Sequence, residues 1–333
     1  MTKLMISEGC RQIRQVAHRG GAGLWPENTL EAFAHAIAMG VQGIELDVHL
    51  SADGHPVVHH DESLKPAIAR DGVGQWLTRP TPLIKSLRFA ELQAYDIGRL
   101  KPGSGYAGRY PGQRAIDGAR IPLLADVFSL VKAEADPSFR VYVELKTALL
   151  DLSHSATPEA LAEKVVALVR AMDMSDQVTF VSFDWRALIH ARKLAPDIEN
   201  AWTTLPFFQI DPDDASGPSF PAGSEDALLR EASARGADWM GGYDWHHETG
   251  ATFAARMIAA MGRGQREGVC DGWLAWHGDV TPDNTALARA ASLSVSCWTV
   301  DEEDEMRRLA ALGVDAILTD RPDRLAAVLN AQP

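Results

Sequence analysis

Carboxylates recur at the ends of two apolar runs in the first half of the sequence. Glu45 and Asp47 lie within GIELDVHL at 43–50, and Glu144 ends a second run, two residues before Lys146. Side chains alternate along a strand, so Glu45 and Asp47 share one face, and Lys146 shares the facing of Glu144. Carboxylates that close repel unless a cation or a proton lies between them, and their oxygens suit Mg²⁺, Ca²⁺ or Mn²⁺. The pattern predicts a divalent metal site formed by Glu45, Asp47 and Glu144, with Lys146 placed to meet phosphate oxygens.

Each pair also has a purely structural interpretation. Glu45 and Asp47 on an edge strand would be surface carboxylates, and Glu144 with Lys146 would form a buried ion pair. The three carboxylates together favour the metal site, because functional side chains of a parallel barrel project from the strand ends toward one face.

Two histidines offer the proton transfers that displacement at phosphorus requires. His18 ends the first apolar run, beside Arg19, and His60 follows a short hairpin after the second run. Taken singly, either histidine is better explained as a structural residue. Because both can reach the same ends of the strands, one imidazole can take a proton while the other donates one. We expect His18 to act as the base and His60 as the acid.

The glycine-rich segment after His18 raises the alternative of a dinucleotide-binding turn. If the count starts at Gly21, Pro26 takes the place of the third glycine, so the G-x-G-x-x-G spacing fails. The glycines are better explained by a backbone that must turn closely beside the site.

Short apolar runs alternate with amphipathic helical patterns along the chain, such as those at 29–40, 158–173 and 304–313. Eight strand–helix repeats are typical of an α/β fold of the (β/α)₈ TIM-barrel type, with a doubly wound open sheet as the alternative. The candidate strands are 15–18, 43–50, 140–146, 178–183, 200–204, 237–242, 294–300 and 315–320.

Two segments interrupt this rhythm. Residues 62–120 carry ten Lys and Arg against five Asp and Glu within an acidic protein, and are expected to form an insertion or small lid after the second strand. The excess positive charge could attract an anionic substrate, and the aromatic rings of Trp76, Tyr106 and Tyr110 could hold a choline-like cation. A solvated flap is the alternative. Residues 243–280 are a second, more ambiguous interruption of the strand–helix alternation, and they contain a helix-like stretch. We expect a single barrel domain over 15–330, with 62–120 inserted into it.

Composition excludes several classes of protein. A formal net charge of −13 argues against general nucleic-acid binding. The sequence contains no run of 18 or more apolar residues, so it predicts no membrane span. Cys10, Cys270 and Cys297 show neither a disulfide framework nor zinc spacing. The N-terminus lacks the apolar core of a secretory signal. A cytoplasmic location is therefore expected, and a homodimer is left open.

The motifs taken in order resemble the glycerophosphodiester phosphodiesterase family. The resemblance covers residues 16–323, nearly the whole chain, and it rests on the ordered set rather than on any one element. The matching elements are His18-Arg19-Gly20, Pro26-Glu27-Asn28-Thr29, Glu45-Leu46-Asp47, His60-Asp61, Glu144-Leu145-Lys146, Trp298-Thr299-Val300 and Thr319-Asp320-Arg321-Pro322.

The resemblance implies a TIM barrel with an insertion, and metal-dependent hydrolysis of small glycerophosphodiesters to glycerol 3-phosphate and an alcohol. It implies the same metal ligands and the same two histidines as acid and base. It further implies that Arg19 and Lys146 contact the phosphate and that Trp298 lines the glycerol end of the pocket. Asn28 is expected to cap the following helix, and Glu27 to coordinate or position.

Three other functions are compatible with parts of the sequence to different degrees. A phospholipase D-like enzyme acting on lysophospholipids or sphingolipids shares the fold and motifs, but it would need an apolar groove. A non-catalytic barrel would be expected to have lost a carboxylate or a histidine, and none is missing here. A nucleic-acid phosphodiesterase is disfavoured by the acidic balance.

Overall fold

The structure is a computed structural model that describes residues 13–214 and 217–331, so Cys10 and most of the N-terminal segment lie outside the described residues. Within these ranges, nine strands form one sheet. They are β1 (Arg14–Ala17), β2 (Gly43–Leu50), β3 (Pro56–Val58), β4 (Arg140–Leu145), β5 (Val178–Ser182), β6 (Glu199–Thr203), β7 (Gly272–Trp276), β8 (Ser294–Trp298) and β9 (Ala316–Thr319).

The sheet closes on itself through its first strand. Val16 of β1 is in register with Gly43 of β2 on one side and with Leu318 of β9 on the other, and both pairings are parallel. All strands except β3 are parallel members of this ring, while β3 returns antiparallel along β2. The fold is therefore the predicted (β/α)₈ barrel, and the open doubly wound sheet is excluded.

Helices follow the strands as the sequence pattern predicted. They are α1 (Leu30–Ala38), α2 (Phe89–Leu92), α3 (Gly105–Arg109), α4 (Leu124–Glu134), α5 (Pro158–Ala171), α6 (Trp185–Leu194), α7 (Phe207–Ile210), α8 (Glu225–Ala234), α9 (Phe253–Arg266), α10 (Pro282–Ala290), α11 (Glu303–Ala311) and α12 (Pro322–Asn330).

One predicted strand is wrong and another was missed. The segment 237–242 forms a 3₁₀ turn at Asp238–Met240 instead of a strand, because Gly241 and Gly242 that follow both have positive φ. The sixth barrel strand is β7, which lies inside the 243–280 segment, after α9. Its five-residue apolar run is too short for periodicity alone to separate strand from helix.

Alternation along the strands separates two apolar layers. Ile44, Leu46 and Val48 of β2 pack into the main core that also contains the residues of the surrounding helices. Tyr142 of β4 belongs to a smaller cluster with Val16, Val181, Ala201, Leu274, Ala316 and Leu318, contributed by the other barrel strands. Glu45 and Asp47 have the opposite parity to the outward residues of β2, so they point into the barrel.

The segment 62–120 has its own small apolar cluster, which includes Leu64, Ile84, Leu92 and Ile97. Its regular structure is limited to α2, α3, a 3₁₀ turn at Ile84–Ser86 and isolated bridges such as Arg70 with Asp96. The short β3 precedes this segment in the chain and α4 follows it.

Candidate active site

Three carboxylates meet at the carboxyl ends of β2 and β4. Asp47 and Glu144 are in register on these two adjacent parallel strands, and Glu45 lies two residues earlier on β2. One ligand atom from each residue lies within 4.8 Å of the others. Glu45 and Asp47 are buried and Glu144 is partly buried. The strand geometry thus brings together the three residues that the sequence singled out as metal ligands.

The surroundings of this acidic trio fit a divalent cation. Burial first, and then the nearby charges of Asp47 and Glu144, raise the pKa of Glu45 to about 8, although His18 and Arg19 act in the opposite direction. The Oδ1 atom of Asp47 is buried without a hydrogen-bond partner, and the nearest described cation, Lys146 Nζ, is 3.5 Å away. Carboxylate oxygens are the ligands that Mg²⁺, Ca²⁺ and Mn²⁺ prefer.

Two cationic side chains border the trio. Lys146 Nζ lies 3.0 Å from Glu144 Oε1, and Arg19 Nε lies 3.3 Å from Asp47 Oδ2. Arg19 Nη1 also donates to Glu27 Oε1 at 3.1 Å, whereas Arg19 Nε is buried and makes no hydrogen bond. Both cations therefore stand beside the carboxylates, where an anion bound to the same metal would meet them.

Arg19 is held in a strained backbone conformation. Its φ is 52° in the turn His18–Gly20, a region that non-glycine residues rarely occupy, and such strain concentrates at functional sites. Gly20 follows with φ 83°, and a Cβ there would lie 2.8 Å from the Cβ of Ala32 on α1. The glycine is thus needed for close approach to α1, as the sequence suggested, and this approach fixes the turn that presents Arg19.

The predicted helix cap at Asn28 is wrong. Thr29 is the cap of α1, and its hydroxyl accepts a hydrogen bond from the backbone N–H of Ala32 at 3.1 Å. Asn28 instead has φ 57° and its Nδ2 donates to Asp47 Oδ2 at 2.8 Å. The local capping pattern was misleading because the side-chain amide of Asn28 donates its hydrogen bond to the buried carboxylate of Asp47 instead.

His18 is fixed from both sides of its ring. Its Nδ1 is 2.7 Å from Asp320 Oδ1, and its Nε2 is 3.7 Å from Glu45 Oε2. Burial disfavours the charged form of His18, but the carboxylates of Asp320 and Glu45 outweigh burial and raise its pKa to about 9. A cation bound beside Glu45 would reverse part of this effect and lower the pKa of His18.

The surroundings of His60 shift its pKa in the direction opposite to that of His18. Its Nδ1 is 3.1 Å from Asp61 Oδ1, which also pairs with Lys65 at 2.9 Å. Burial, and then the positive charges of Arg19 and Lys146, lower the pKa of His60 to about 3. His60 lines both cavities at this end of the barrel, one of about 720 Å³ and one of about 280 Å³.

Trp298 lies at the end of β8 and packs edge-on against Phe183, with 5.2 Å between ring centres. Phe183 lines the 720 Å³ cavity together with Glu144 and Lys146. The Nε1 atom of Trp298 is buried and has no hydrogen-bond partner among the described residues. The indole therefore has an unused donor close to the wall of that cavity.

Three further residues at the site received no catalytic assignment from the sequence. Asp320 is buried and holds His18, and its position just after β9 was the available signal, since the other site residues also end strands. Tyr110 donates to Asp320 Oδ2 at 2.7 Å, and Tyr106 donates to Glu27. Burial and the adjacent carboxylates raise the pKa of both phenols, so both stay protonated and act as donors.

The expected choline-binding role of the insertion aromatics conflicts with these contacts. Arg109 lies over the rings of both Tyr106 and Tyr110, at 5.1 and 5.6 Å, and Arg70 lies over Trp76 at 5.7 Å. Each ring already faces a cation of the protein itself.

Three neighbouring carboxylates, two adjacent cations and two carboxylate-held imidazoles lie together at the mouth of the parallel barrel. These are the groups that hydrolysis of a phosphoric diester can use. The model of the glycerophosphoryl diester phosphodiesterase family matches residues 18–324. The chain belongs to this family and is an enzyme of its class.

Individual relatives agree with this assignment. A glycerophosphodiester phosphodiesterase from Caldanaerobacter subterraneus subsp. tengcongensis is 26% identical over 310 residues, which cover 93% of this chain and 95% of the relative. Human lysophospholipase D GDPD1 is 26% identical over 320 residues, covering 95% of this chain and 86% of the relative.

Solved structures share the fold. A crystal structure from Silicibacter pomeroyi, of a protein assigned as a glycerophosphoryl diester phosphodiesterase, superposes with a TM-score of 0.77 at 30% identity, covering 97% of this chain and 94% of that one. An Oleispira antarctica phosphodiesterase, solved with the product sn-glycerol 3-phosphate, has a TM-score of 0.63 at 21% identity, covering 96% and 97%. In the ranges 13–214 and 217–331, none of the helices has the length and apolarity needed to cross a bilayer.

Proposed function

We propose that this enzyme hydrolyses small glycerophosphodiesters to sn-glycerol 3-phosphate and an alcohol, with a divalent cation held by Glu45, Asp47 and Glu144. The observation that carries the proposal is this acidic trio with Arg19 and Lys146 beside it. Family membership supports the reaction, and the named product in the Oleispira antarctica complex is the one expected here.

The acidic trio suits Mg²⁺, Ca²⁺ or Mn²⁺, which are the cations we propose. All three donors are hard oxygens, and the unpartnered Oδ1 of Asp47 leaves one lone pair free for a ligand bond. When bound, such a cation neutralises phosphate charge and makes a coordinated oxygen more acidic. Asn28 contributes indirectly, because its amide fixes Asp47 Oδ2 and so orients Oδ1.

Arg19 and Lys146 are proposed to bind the phosphate. Arg19 carries five N–H donors in a fixed fork, and its Nε, 3.3 Å from Asp47 Oδ2, makes no hydrogen bond in the described structure. Lys146 lies beside Glu144 and Asp47, so it adds a second positive charge next to the trio. The transition state of the displacement gains charge on the phosphoryl oxygens, where Lys146 is expected to stabilise it, whereas Arg19 is expected to hold the phosphate equally in substrate and transition state.

The two histidines are proposed to divide the proton transfers, with His18 as base and His60 as acid. In the protein without a cation, the pKa of His18 is raised and the pKa of His60 is lowered, so these roles require a bound cation to lower the former and the bound phosphate to raise the latter. Asp320 orients the ring of His18 through Nδ1, which leaves Nε2 directed toward Glu45 and the attacking water or glycerol hydroxyl. Asp61 orients His60 in the same way, which leaves its Nε2 to protonate the departing alkoxide. Each transfer is expected to be worth roughly 10²–10⁴ in rate.

Trp298 is proposed to bound the glycerol end of the substrate. Its buried, unpartnered Nε1–H supports a hydrogen bond to a glycerol hydroxyl, since a buried donor without a partner is costly. Residues 62–120 are proposed to cover the barrel mouth as a lid within a single domain. The cytoplasmic location and the homodimer stay predictions, to be checked by cell fractionation and light scattering.

A specific observation favours a second candidate, hydrolysis of lysophospholipids. The 720 Å³ cavity beside Lys146 is of drug-sized-ligand volume, and one side of it is apolar through Leu149, Phe183, Leu205, Leu228 and Leu229. An acyl chain would fit that wall. A relative named lysophospholipase D supports this alternative. Leu228→Glu should then reduce choline release from lysophosphatidylcholine while sparing glycerophosphocholine.

The deciding experiment is an assay of EDTA-stripped enzyme on a panel of glycerophosphodiesters, with Mg²⁺, Ca²⁺ or Mn²⁺ restored singly. Metal-dependent release of sn-glycerol 3-phosphate is the expected result. If no small diester is cleaved with any cation while lysophosphatidylcholine is, the second candidate replaces the first.

A further inference from the structure

We propose that Tyr106 and Tyr110, on the inserted helix α3, are positioning residues with separate tasks. Tyr106 holds Arg19 in place for phosphate binding, and Tyr110 holds His18 in place for proton transfer. The inference rests on the proposed function and adds two residues and a division of labour to it. Neither tyrosine touches the acidic trio, so each acts through a carboxylate.

Tyr110 acts through Asp320. Its hydroxyl donates to Asp320 Oδ2 at 2.7 Å, while Asp320 Oδ1 is 2.7 Å from His18 Nδ1. The backbone N–H of Asp320 donates to Asp301 Oδ1 at 2.9 Å, which fixes the main chain at that point. With both carboxylate oxygens occupied, Asp320 has one orientation, and the imidazole of His18 is aligned by it. Loss of the Tyr110 hydroxyl frees the carboxylate to rotate.

Tyr106 acts through Glu27. Its hydroxyl donates to Glu27 Oε2, and Glu27 Oε1 accepts from Arg19 Nη1 at 3.1 Å. Arg19 has a positive φ, so side-chain contacts are needed to keep this strained turn in one conformation. Without the Tyr106 hydroxyl, Glu27 loses one of its two partners, and the guanidinium that meets the phosphate is less well fixed.

Other contacts hold α3 in place when one hydroxyl is removed. The two tyrosine rings pack edge to face at 5.5 Å, and Arg109 covers both. Beyond the helix, Gln113 Nε2 donates to the Ala22 carbonyl and the Arg114 N–H to the Leu24 carbonyl, both at 2.8 Å. A Tyr→Phe change therefore removes one hydrogen bond and leaves the docking of 104–114 on the 22–27 loop intact.

The two variants are expected to alter different kinetic parameters. A hydrogen bond to a charged group is worth enough to change an equilibrium or a rate by roughly tenfold. Tyr106→Phe should raise KM roughly tenfold with kcat within about twofold, because it loosens a binding cation. Tyr110→Phe should lower kcat roughly tenfold with KM within about twofold, because it loosens the proton-transfer residue.

The test measures kcat and KM for Tyr106→Phe, Tyr110→Phe and a matched control, Tyr95→Phe, in the metal-restored enzyme. Tyr95 belongs to the same insertion but packs against its apolar cluster, so its variant should leave both parameters unchanged. Binding of sn-glycerol 3-phosphate by calorimetry should weaken in Tyr106→Phe alone. The ring ¹⁵N signals of His18, identified by their loss in His18→Gln, should shift in Tyr110→Phe alone.

The outcomes separate this inference from the function on which it rests. Parallel changes of the same parameter in both variants, or a lower melting temperature with unchanged kinetics, would mean a merely structural role and overturn it. If the wild-type enzyme cleaves no small glycerophosphodiester, the proposed function fails. The calorimetric and ¹⁵N measurements then still decide the inference, and unchanged values in both variants overturn it.

Discussion

Asp47 and Glu144 are register partners on adjacent parallel strands, and their carboxylates share a buried site with that of Glu45. Backbone pairing of β2 with β4 thus places two like charges side by side before any ligand is considered. Such an arrangement is unfavourable on its own, because burial and repulsion both oppose ionisation. The arrangement is best explained as a cation-binding site, and cation binding can be measured directly.

Asp47→Asn and Glu144→Gln should each weaken divalent cation binding by roughly 100-fold or more, since loss of outer-shell partners alone costs 10–100-fold. Isothermal calorimetry with Mg²⁺, Ca²⁺ and Mn²⁺ checks this. The matched control is Glu163→Gln, on the exposed face of α5, where the carboxylate pairs only with His190 at 3.3 Å. Equal affinity in wild type and both site variants would rule out this metal site.

Glu45→Gln should make the metal-free protein more stable while it weakens cation binding. The change removes a carboxyl group whose ionisation burial and Asp47 make costly, and the amide oxygen can still accept from the Arg19 N–H, now 3.1 Å from Glu45 Oε2. We expect a gain of about 1–2 kcal/mol in the free energy of unfolding in EDTA. Urea denaturation with and without cation measures both effects. A loss of stability in EDTA would contradict the repulsion argument.

Exchange of the leaving group distinguishes the two histidines. On glycerophosphocholine, His18→Ala and His60→Ala should each lose roughly 10²–10⁴ in kcat. On a p-nitrophenyl diester, whose leaving group needs no proton, His60→Ala should recover to within about tenfold of wild type, and His18→Ala should not. His190→Ala on α6 is the control. Recovery by His18→Ala instead would exchange the assigned roles.

Asp279 provides a pH-dependent prediction away from the proposed metal ligands. Burial raises the pKa of Asp279 to about 7, although its carboxylate accepts a hydrogen bond from the Phe207 N–H at 2.9 Å. Between the unfolded value of 3.8 and about 7, the unfolded chain releases this proton while the native state keeps it. Asp279 therefore lowers the free energy of unfolding as pH rises through that window, and the whole of this loss is present above about pH 7.

Asp279→Asn keeps an acceptor for Phe207 and removes the ionisation. Its stability relative to wild type should grow by about 2 kcal/mol between about pH 5.5 and about pH 8.5. Urea titrations at the two pH values measure this difference, with Asp283→Asn on the first turn of α10 as the control. A difference that is constant with pH would show that Asp279 ionises normally.

The barrel and the trio were predictable because both follow from strictly local rules. Alternation along β2 fixes the common facing of Glu45 and Asp47, and parallel strands end at one face. Contacts between distant segments were not predictable in this way. Asp320 is hydrogen-bonded to His18 although 302 positions separate them in the chain. The sequence around Asn28 matches a helix-capping pattern, and no local pattern reveals that its amide donates to Asp47 instead.

The errors in the strands have a related cause. The runs at 237–242 and 272–276 are both short and largely apolar, so periodicity cannot separate them, although the first ends in Gly241-Gly242. The difference lies in the tertiary structure, where β7 pairs with β6 and β8 while Trp239 and Met240 pack under a turn. The insertion was recognised by its composition, but the contacts of Tyr106 and Tyr110 depend on how it docks.

Trp298→Phe tests the glycerol end of the proposed pocket. The change keeps an aromatic ring against Phe183 and removes only the unpartnered Nε1–H and one ring. If that donor binds a glycerol hydroxyl, KM for glycerophosphocholine should rise by roughly 3–10-fold, the value of one neutral hydrogen bond. KM for bis(p-nitrophenyl) phosphate, which has no glycerol, should stay within about twofold of wild type.

Trp185→Phe would be a poor control, because its Nε1 donates to the Thr203 carbonyl inside the core. Trp76→Phe is a suitable control, because Trp76 belongs to the insertion and its ring packs under the guanidinium of Arg70. An equal rise of KM for both substrates would place Trp298 beside the phosphate or in the fold alone, and the glycerol assignment would be wrong.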